Sequence, residues 1–292
     1  MMRNQPTISV PLGRAYPVRS KLTEIVVTAI LILLALAVIL PLVLPFLFVF
    51  KTRLEYNYNP WGWPTEIRWI NFIEAWRAIR IGEGLLNTFY VCLGAIACTV
   101  PTAAMAGYIF ARYRTKVTEV LFYFVLAGYF VPVQMVLIPL YQLCGLLNIT
   151  DTLPGLFLPM TAFGIPFWTI IYRSFFTGLP NELAEAARID GAGHANIFFR
   201  IMLPLAKPAT VLATLLVFMG AWSDYLLSLI MINSAKNYTM QLRIASFMNQ
   251  YGVDHMPRYA AATIIAAAPT VILYIIGHRW IIQGTLAGAL KG

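Results

Sequence analysis

The sequence predicts an all-α membrane protein with six transmembrane helices. Two observations carry that prediction. Of the 292 residues, 60% are hydrophobic and only 11% are charged. Soluble domains average roughly 25% charged, so this chain lacks the polar surface to solvate a globule of its size. In addition, six stretches that carry no charge, or a single one, approach the about 20 apolar residues an α-helix needs to cross a bilayer. Helices are the expected form because every backbone group in lipid needs a partner within its own segment.

Taken in order, residues 25–50 carry no charge. They are too long for a signal-peptide core and no Ala-x-Ala site follows, which predicts an uncleaved anchor. Residues 84–111, 120–143 and 152–172 are also charge-free. Residues 208–232 hold one charge, Asp224, and residues 259–277 hold none and are just long enough. Pro41, Pro45, Pro101 and Pro132 fall inside these spans. Each removes a helical hydrogen bond and favours a kink; such breaks occur in moving and in static helices alike.

An even number of spans puts both termini on one side. With that side cytoplasmic, thirteen of the 21 basic residues lie inside. The short loops show the bias best: Arg112, Arg114 and Lys116 sit in one inner loop, while residues 144–153 hold no basic residue. Basic loops face the cytoplasm, so residues 1–24 and 284–292 are expected there, flanking a membrane domain over residues 25–283. The net charge of +9 belongs to this loop bias and to lipid, not to nucleic acid. Cys92, Cys98 and Cys144 lie in apolar runs, and His194, His255 and His278 are far apart. Neither set has metal-ligand spacing, so no metal and no catalytic residue is expected.

In the first outer loop, Trp69, Phe72, Ile73, Trp76 and Ile79 recur at helical spacing, with Glu74, Arg77 and Arg80 toward the other side. This predicts an amphipathic helix. It is either an anchor at the membrane interface, with Trp61 and Trp63 in the same belt, or a docking surface for an external protein.

The most informative stretch is polar and lies between the fourth and fifth spans. Pro180 suits a first helical turn, and residues 181–190 are rich in Leu, Glu and Ala, which favour helix. Glu182 and Glu185 complement its positive N-terminal end. Gly191 suits a left-handed terminus. Residues 196–201 then restart a helix with an apolar face, and Pro204 and Pro208 are expected to break it. Ala184, Ala186 and Ala187 leave the first helix nearly bare of bulk. It is either a small plug for a partner's groove or a loop helix covering the inner ends of the spans.

Glu185-Ala186-Ala187, three residues, Gly191, nine residues, then Ile201-x-Leu203-Pro204 resembles the EAA loop of permease subunits in bacterial ATP-binding-cassette importers. Arg188-Ile189-Asp190-Gly191-Ala192 and the lead-in Leu179-Pro180-x-Glu182-Leu183 extend the match. The chain is most similar to the carbohydrate-uptake group, the MalG-like permeases. Further agreement lies in Asn87-Thr88, in Ala106-Gly107-Tyr108-x-x-Ala111-Arg112-Tyr113, in Ile138-Pro139-Leu140-Tyr141, in Trp222-Ser223-Asp224-Tyr225, and in the C-terminal residues 284–292.

The resemblance implies the type I importer permease architecture, in the bacterial cytoplasmic (inner) membrane. A second, MalF-like permease would complete the pathway. Two ATPase subunits would bind ATP and Mg, and an external or periplasmic solute-binding protein would deliver the substrate. The EAA loop would span about residues 178–207, with Glu182, Glu185, Ala186, Ala187, Arg188, Asp190, Gly191 and Ala192 forming the ATPase contact. Gly288, Lys291 and Gly292 in the tail would also reach the ATPases, and residues 234–257 are a candidate contact for the binding protein. The chain itself has no Gly-x-x-x-x-Gly-Lys-Ser/Thr loop to cradle nucleotide phosphates, so it is expected to bind no cofactor and to catalyse no reaction.

The resemblance leaves the substrate open among neutral oligosaccharides, uronate oligomers, polyols and glycerol phosphate. Asp224 is the one ionisable residue well inside a span. Such residues are costly in lipid and mark either a cavity or a helix–helix hydrogen bond. Asn87, Trp222 and Tyr225 join it as candidate pathway residues. A stand-alone secondary transporter is the alternative class, but it calls for a relay of intramembrane acids, and Asp224 is alone.

Overall fold

A computed structural model describes residues 21–289, with side chains over residues 23–278. The chain divides into two compact units, residues 1–45 and 46–292. Within the first lies most of α1 (Lys21–Val49), which carries Pro41 and Pro45 inside it. The side chains of residues 28–43 are all exposed, as expected of a helix whose surroundings are lipid or another chain.

The second unit begins at the end of α1. Asn71 donates to the Val49 and Lys51 carbonyls at 2.6 and 2.9 Å, and the buried Lys51 ammonium donates to the carbonyls of Asn59 and Pro60, both at 2.7 Å. Burial pulls the Lys51 ammonium below its ordinary range, with Glu55 opposing. α2 (Arg53–Tyr58) starts with a capping box between Thr52 and Glu55, which satisfies two otherwise free N–H groups.

α3 (Ile70–Ala78) is the helix expected in this loop, but its buried face differs from the aromatic stripe. Asn71, Ala75 and Ile79 are buried, while Trp69, Ile73 and Trp76 are largely exposed. The small residues let α3 approach α14 closely; Phe72 packs at the edge of the core, and Trp69 and Trp76 remain on the outside, as do Trp61 and Trp63.

α4 (Ile81–Arg112) and α7 (Leu153–Thr177) form the central pair of the bundle. Small residues on α4 permit this: Ala103, Ala104, Gly107 and Ala111 face Trp168, Tyr172 and Phe176. Without a hydrophobic driving force in lipid, close packing of this kind holds helices together. Thr152 caps α7 by accepting from the Gly155 N–H at 3.1 Å.

Between them, the third span is not one helix. α5 (Lys116–Tyr129) stops at Phe130, Pro132 begins a 3-10 turn, and α6 (Leu137–Leu146) follows; the pair is bent by 88°. Pro132 has no N–H to continue α5, and it disfavours helical backbone in the residue before it.

α8 (Glu182–Ile189) is the helix of the polar island. It starts after Asn181, so Pro180 lies just outside rather than in the first turn. α9 (His194–Ile197) begins two residues earlier than expected and passes into a π-turn over Phe198–Met202. α10 (Leu203–Leu205) takes Pro204 within its first turn, where no N–H is needed. The break falls instead at Ala206, with a 76° bend into α11 (Lys207–Ser223).

The fifth span is also interrupted. α11 ends at Ser223, Asp224 is extended, and α12 (Leu226–Met231) restarts beyond it. α13 (Met240–Tyr251) packs inward through Met240, Leu242, Ile244 and Phe247. α14 (Met256–Ala289) is the last element, so residues 284–289, including Gly288, continue this helix. Lys291 and Gly292 lie outside the described residues. Among the described residues, four helices are long and apolar enough to cross a membrane, and up to six if each bent pair is one span.

Candidate functional site

The polar island presents one face and buries the other. Ala184 and Ala187 pack against the cluster of Tyr108, Phe176, Phe198 and Met202. Their small size brings α8 close to its own bundle, which is the opposite of a helix bare on all sides. Glu182, Glu185, Ala186, Arg188 and Asp190 are exposed, and so is Ile189, at 87%. Gly191 ends the helix with φ +80°, a conformation open to glycine without a Cβ penalty. The Ala192 N–H donates to the Ala187 carbonyl at 2.9 Å, so Ala192, which is half-buried, closes the terminus.

The loop is held by side chains that the sequence reading left without a role. Arg112, the last residue of α4, donates through Nη1 to the Asn181 side chain and through Nη2 to the Leu179 carbonyl at 3.2 Å. Tyr113 pairs its hydroxyl with His194 Nδ1 at 2.6 Å. Arg112 and Tyr113 stood in the Ala106–Tyr113 motif; the signal was their place directly after an apolar run, where a charge has left the lipid.

The candidate pathway residues do not gather at one point. Asn87 donates to the carbonyls of Lys236 and Tyr238 at 2.7 and 3.0 Å, and the neighbouring Thr88 hydroxyl accepts from the Met240 N–H at 2.8 Å. This pair fastens the segment before α13 to α4. Trp222 is buried, stacks on Phe218 at 5.4 Å and donates to the Ala266 carbonyl at 2.9 Å. It lines an apolar groove of about 580 Å³ between α4, α11 and α14. Tyr225 is partly exposed beside the break.

Asp224 lines a separate cavity of about 250 Å³ with Thr99, Trp168, Gly164 and Gly220. One carboxylate oxygen accepts from the Ser228 N–H at 3.0 Å and its hydroxyl at 3.2 Å. Both bonds are local, so Asp224 caps the restarted helix α12 rather than bridging two helices. Thr99 and Trp168 come from α4 and α7 and were not identifiable from the sequence, since a threonine and a tryptophan in apolar runs carry no positional signal. Among the described residues, no three of His, Cys, Asp and Glu gather as a metal site.

At the end of the bundle away from α8, Asp151 gathers the segment after α12. Its carboxylate accepts from the N–H groups of Asn233 and Ser234 at 2.9 and 2.8 Å and from the Ser234 hydroxyl. Arg243, on α13, is buried and meets Glu83 at 2.8 Å. The segment over residues 234–257 is thereby packed onto α4, α7 and α14, leaving Tyr251 and Val253 exposed at its tip.

This arrangement defines a class: a helical membrane bundle of long and broken spans that carries a short polar helix clamped to the end of its central helix. This chain belongs to the binding-protein-dependent transport system inner membrane component family, which matches it over residues 100–285. It is thus an ATP-binding-cassette transporter permease, a membrane component of the inner membrane. It is similar to the diacetylchitobiose uptake permease NgcG of Streptomyces coelicolor, 31% identical over 80% of this chain and 78% of that protein. The melibiose/raffinose/stachyose import permease MelC of Bacillus subtilis is 30% identical over 80% and 84%, and the maltodextrin permease MdxG of the same organism 33% over 70% and 74%. In fold, it is similar to a chain of a solved bacterial importer of the acidic polysaccharide alginate. That likeness has a TM-score of 0.78 at 18% identity, covering 91% of this chain and 99% of that one.

Proposed function

We propose that this chain is one of two permease subunits of an ATP-driven saccharide importer, and that α8 is the helix through which separate ATPase subunits move it. The observation that carries this reading is the two-sidedness of α8. Ala184 and Ala187 seat it on the bundle, while Glu182, Glu185, Ala186 and Ile189 face outward around an exposed apolar tip. A helix used only to cover the inner ends of the spans has no need of an isoleucine in water. Glu185 supplies the charged contact, and Gly191 sets the exit angle. ATP and Mg belong to the ATPase partners, and a MalF-like second permease and an external solute-binding protein complete the assembly. Both termini are cytoplasmic on this reading, with Gly288, Lys291 and Gly292 as a second contact to the ATPases.

The substrate class is a neutral oligosaccharide, in keeping with the names of the relatives above. Of the candidate pathway residues, Asp224 is the one that lines a cavity together with other polar or aromatic side chains, Thr99 and Trp168. Its cavity falls below the roughly 300–1,000 Å³ of drug-sized ligand sites, which suits one sugar ring at a time. A carboxylate oxygen, the Thr99 hydroxyl and the Trp168 ring are groups that fit sugar hydroxyls and faces.

The test is Glu185→Ala and Gly191→Val in the complete complex. Both variants are expected to insert normally. Loss of one charge-assisted contact, about 1.5–3 kcal/mol, is expected to weaken ATPase co-purification by roughly ten-fold or more and uptake with it. Undiminished co-purification and uptake in both would remove the coupling role. Ion-driven uptake by the chain reconstituted alone would favour the secondary-transporter class instead.

A further inference from the structure

Arg112 reaches two stretches of the island loop at once. Nη1 donates to the Asn181 side chain, and Nη2 lies 3.2 Å from the Leu179 carbonyl, 3.5 Å from that of Pro180 and 3.8 Å from the Met202 sulfur. The lead-in to α8 and the π-turn beyond it are therefore held by one guanidinium. Its neighbour Tyr113 meets His194 at 2.6 Å and Arg188 Nη2 at 3.5 Å. Among the described residues, every side-chain hydrogen bond entering residues 179–205 from another element comes from this pair.

What stands behind Arg112 is rigid. A Cβ built on Gly107 would lie 2.5 Å from the Tyr172 Cβ and 2.8 Å from the Arg173 N, so α4 and α7 are in backbone contact just above the joint. The π-turn over Phe198–Met202 adds slack on the far side, since its i→i+5 bonds are a local defect in the helical ladder, of a kind found often at functional sites.

Two atoms at the joint are unspent. Tyr108 Oη and Arg112 Nε, one helical turn apart, are both buried without a hydrogen-bond partner. Buried polar groups are nearly always paired.

We propose that Arg112, with Tyr113, is the positioning joint of the coupling loop: it makes α8 and the α4–α7 pair move as one body. The proposal rests on the reading of α8 as the ATPase-docking helix. It deepens that reading by naming how the movement enters the membrane domain. The planar fork of arginine matters here, because a side-chain oxygen and two carbonyls are engaged at fixed angles, which a lysine point charge does not reproduce.

The experiment uses the complete complex in lipid nanodiscs, with Cys92, Cys98 and Cys144 replaced by alanine. Spin labels at Ala195→Cys and Met105→Cys, both exposed positions, report the separation of the loop from α4. Without Arg112 substitution the separation is expected to be the same with and without ATP. In Arg112→Met it is expected to change or broaden on ATP binding, while the ATPase subunits still co-purify. Stimulation of ATP hydrolysis by the solute-binding protein is expected to fall at least about five-fold, and Arg112→Lys to recover part of it. Tyr113→Phe keeps the ring, loses one hydroxyl and is expected to shift in the same direction by less, which serves if Arg112→Met does not insert. An ATP-independent separation with intact stimulation in both Arg112→Met and Tyr113→Phe overturns the joint alone. ATPase subunits that do not co-purify with the chain carrying native Arg112 and Tyr113 overturn the coupling reading beneath it.

Discussion

The indole Nε1 of Trp222 donates to the carbonyl of Ala266 at 2.9 Å, so a side chain of α11 fastens the backbone of α14. Pro269 lies three residues further along α14. Pro269 has no N–H for the carbonyl one turn back, that of Ile265, so the ladder is interrupted beside the Ala266 carbonyl, and an outside donor helps to hold the helix there. Trp222 is therefore a bolt between helices. Trp222→Phe preserves stacking on Phe218 and leaves the Ala266 carbonyl without its outside donor. A loss of about 1–3 kcal/mol is expected, seen as a lower melting temperature of the purified chain. Asp224→Ala, by contrast, is expected to act on uptake more than on melting, and reversal of these two effects would place the pathway at Trp222.

Gly107 and Gly220 make a matched pair of tests. At Gly107 an added methyl meets the Tyr172 side chain and the Arg173 backbone within 3 Å, whereas at Gly220 nothing lies within 4 Å. Gly107→Ala must push α4 from α7, and overpacking of this kind costs about 1–3 kcal/mol. Gly220→Ala is expected to leave melting unchanged and to narrow the Asp224 cavity, lowering uptake. Equal melting temperatures for the two variants would contradict the close approach at Gly107.

How far the fold was legible depends on the scale of the signal. Spans are written in many residues at once, so the unbroken helices α1, α4, α7 and α14 could be located from apolar runs alone. The breaks in the third and fifth spans depend on single residues. Pro132 was visible, but whether a proline kinks or ends a helix is decided by neighbours that replace its lost bond. Asp224 was visible as a charge, yet its service as a cap for α12 depends on the chain having already turned. The island helix and its left-handed Gly191 were legible because acids, alanines and glycine sit at positions that local rules dictate. The clamp by Arg112 was not, because its partners Asn181 and Met202 are 69 and 90 residues away. The same holds for the cavity, whose walls come from α4, α7 and α11.

Asp151 predicts a pH dependence in the segment after α12. Burial works against its charge, but hydrogen bonds from Ser234, Asn233 and Asn237 outweigh that and hold the carboxyl below its usual range. A depressed folded value means the group adds stability above the unfolded value of about 3.9. That stability is lost as pH falls through the folded value. Asp151→Asn is a suitable probe, since the residue has φ +55° and asparagine tolerates the left-handed region. At neutral pH the variant is expected to show faster amide exchange over residues 231–237 than the native chain. The difference is expected to shrink as the pH is lowered below about 4, and a constant difference would show that the charge is not what orders the segment.

Tyr108→Phe tests whether hydrogen bonding beside the joint differs between the states of the transporter. The Tyr108 ring packs among Phe176, Phe198 and Tyr113, but its hydroxyl is buried and unpaired. Removing an unpaired buried hydroxyl relieves a desolvation cost of about 1–3 kcal/mol, so the variant is expected to melt at or above the native temperature. If the hydroxyl gains a partner in the ATP-bound state, after the loop and the α4–α7 pair have moved together, the same substitution withdraws that gain from that state. The equilibrium then shifts toward the state described here by about ten-fold for each 1.4 kcal/mol, and ATP-driven uptake is expected to fall while stability rises. That opposition of signs separates a bond made in only one state from a packing defect, which would leave uptake level or raise it. A melting temperature below the native one would show that the hydroxyl is already bonded, through an ordered water, in this state.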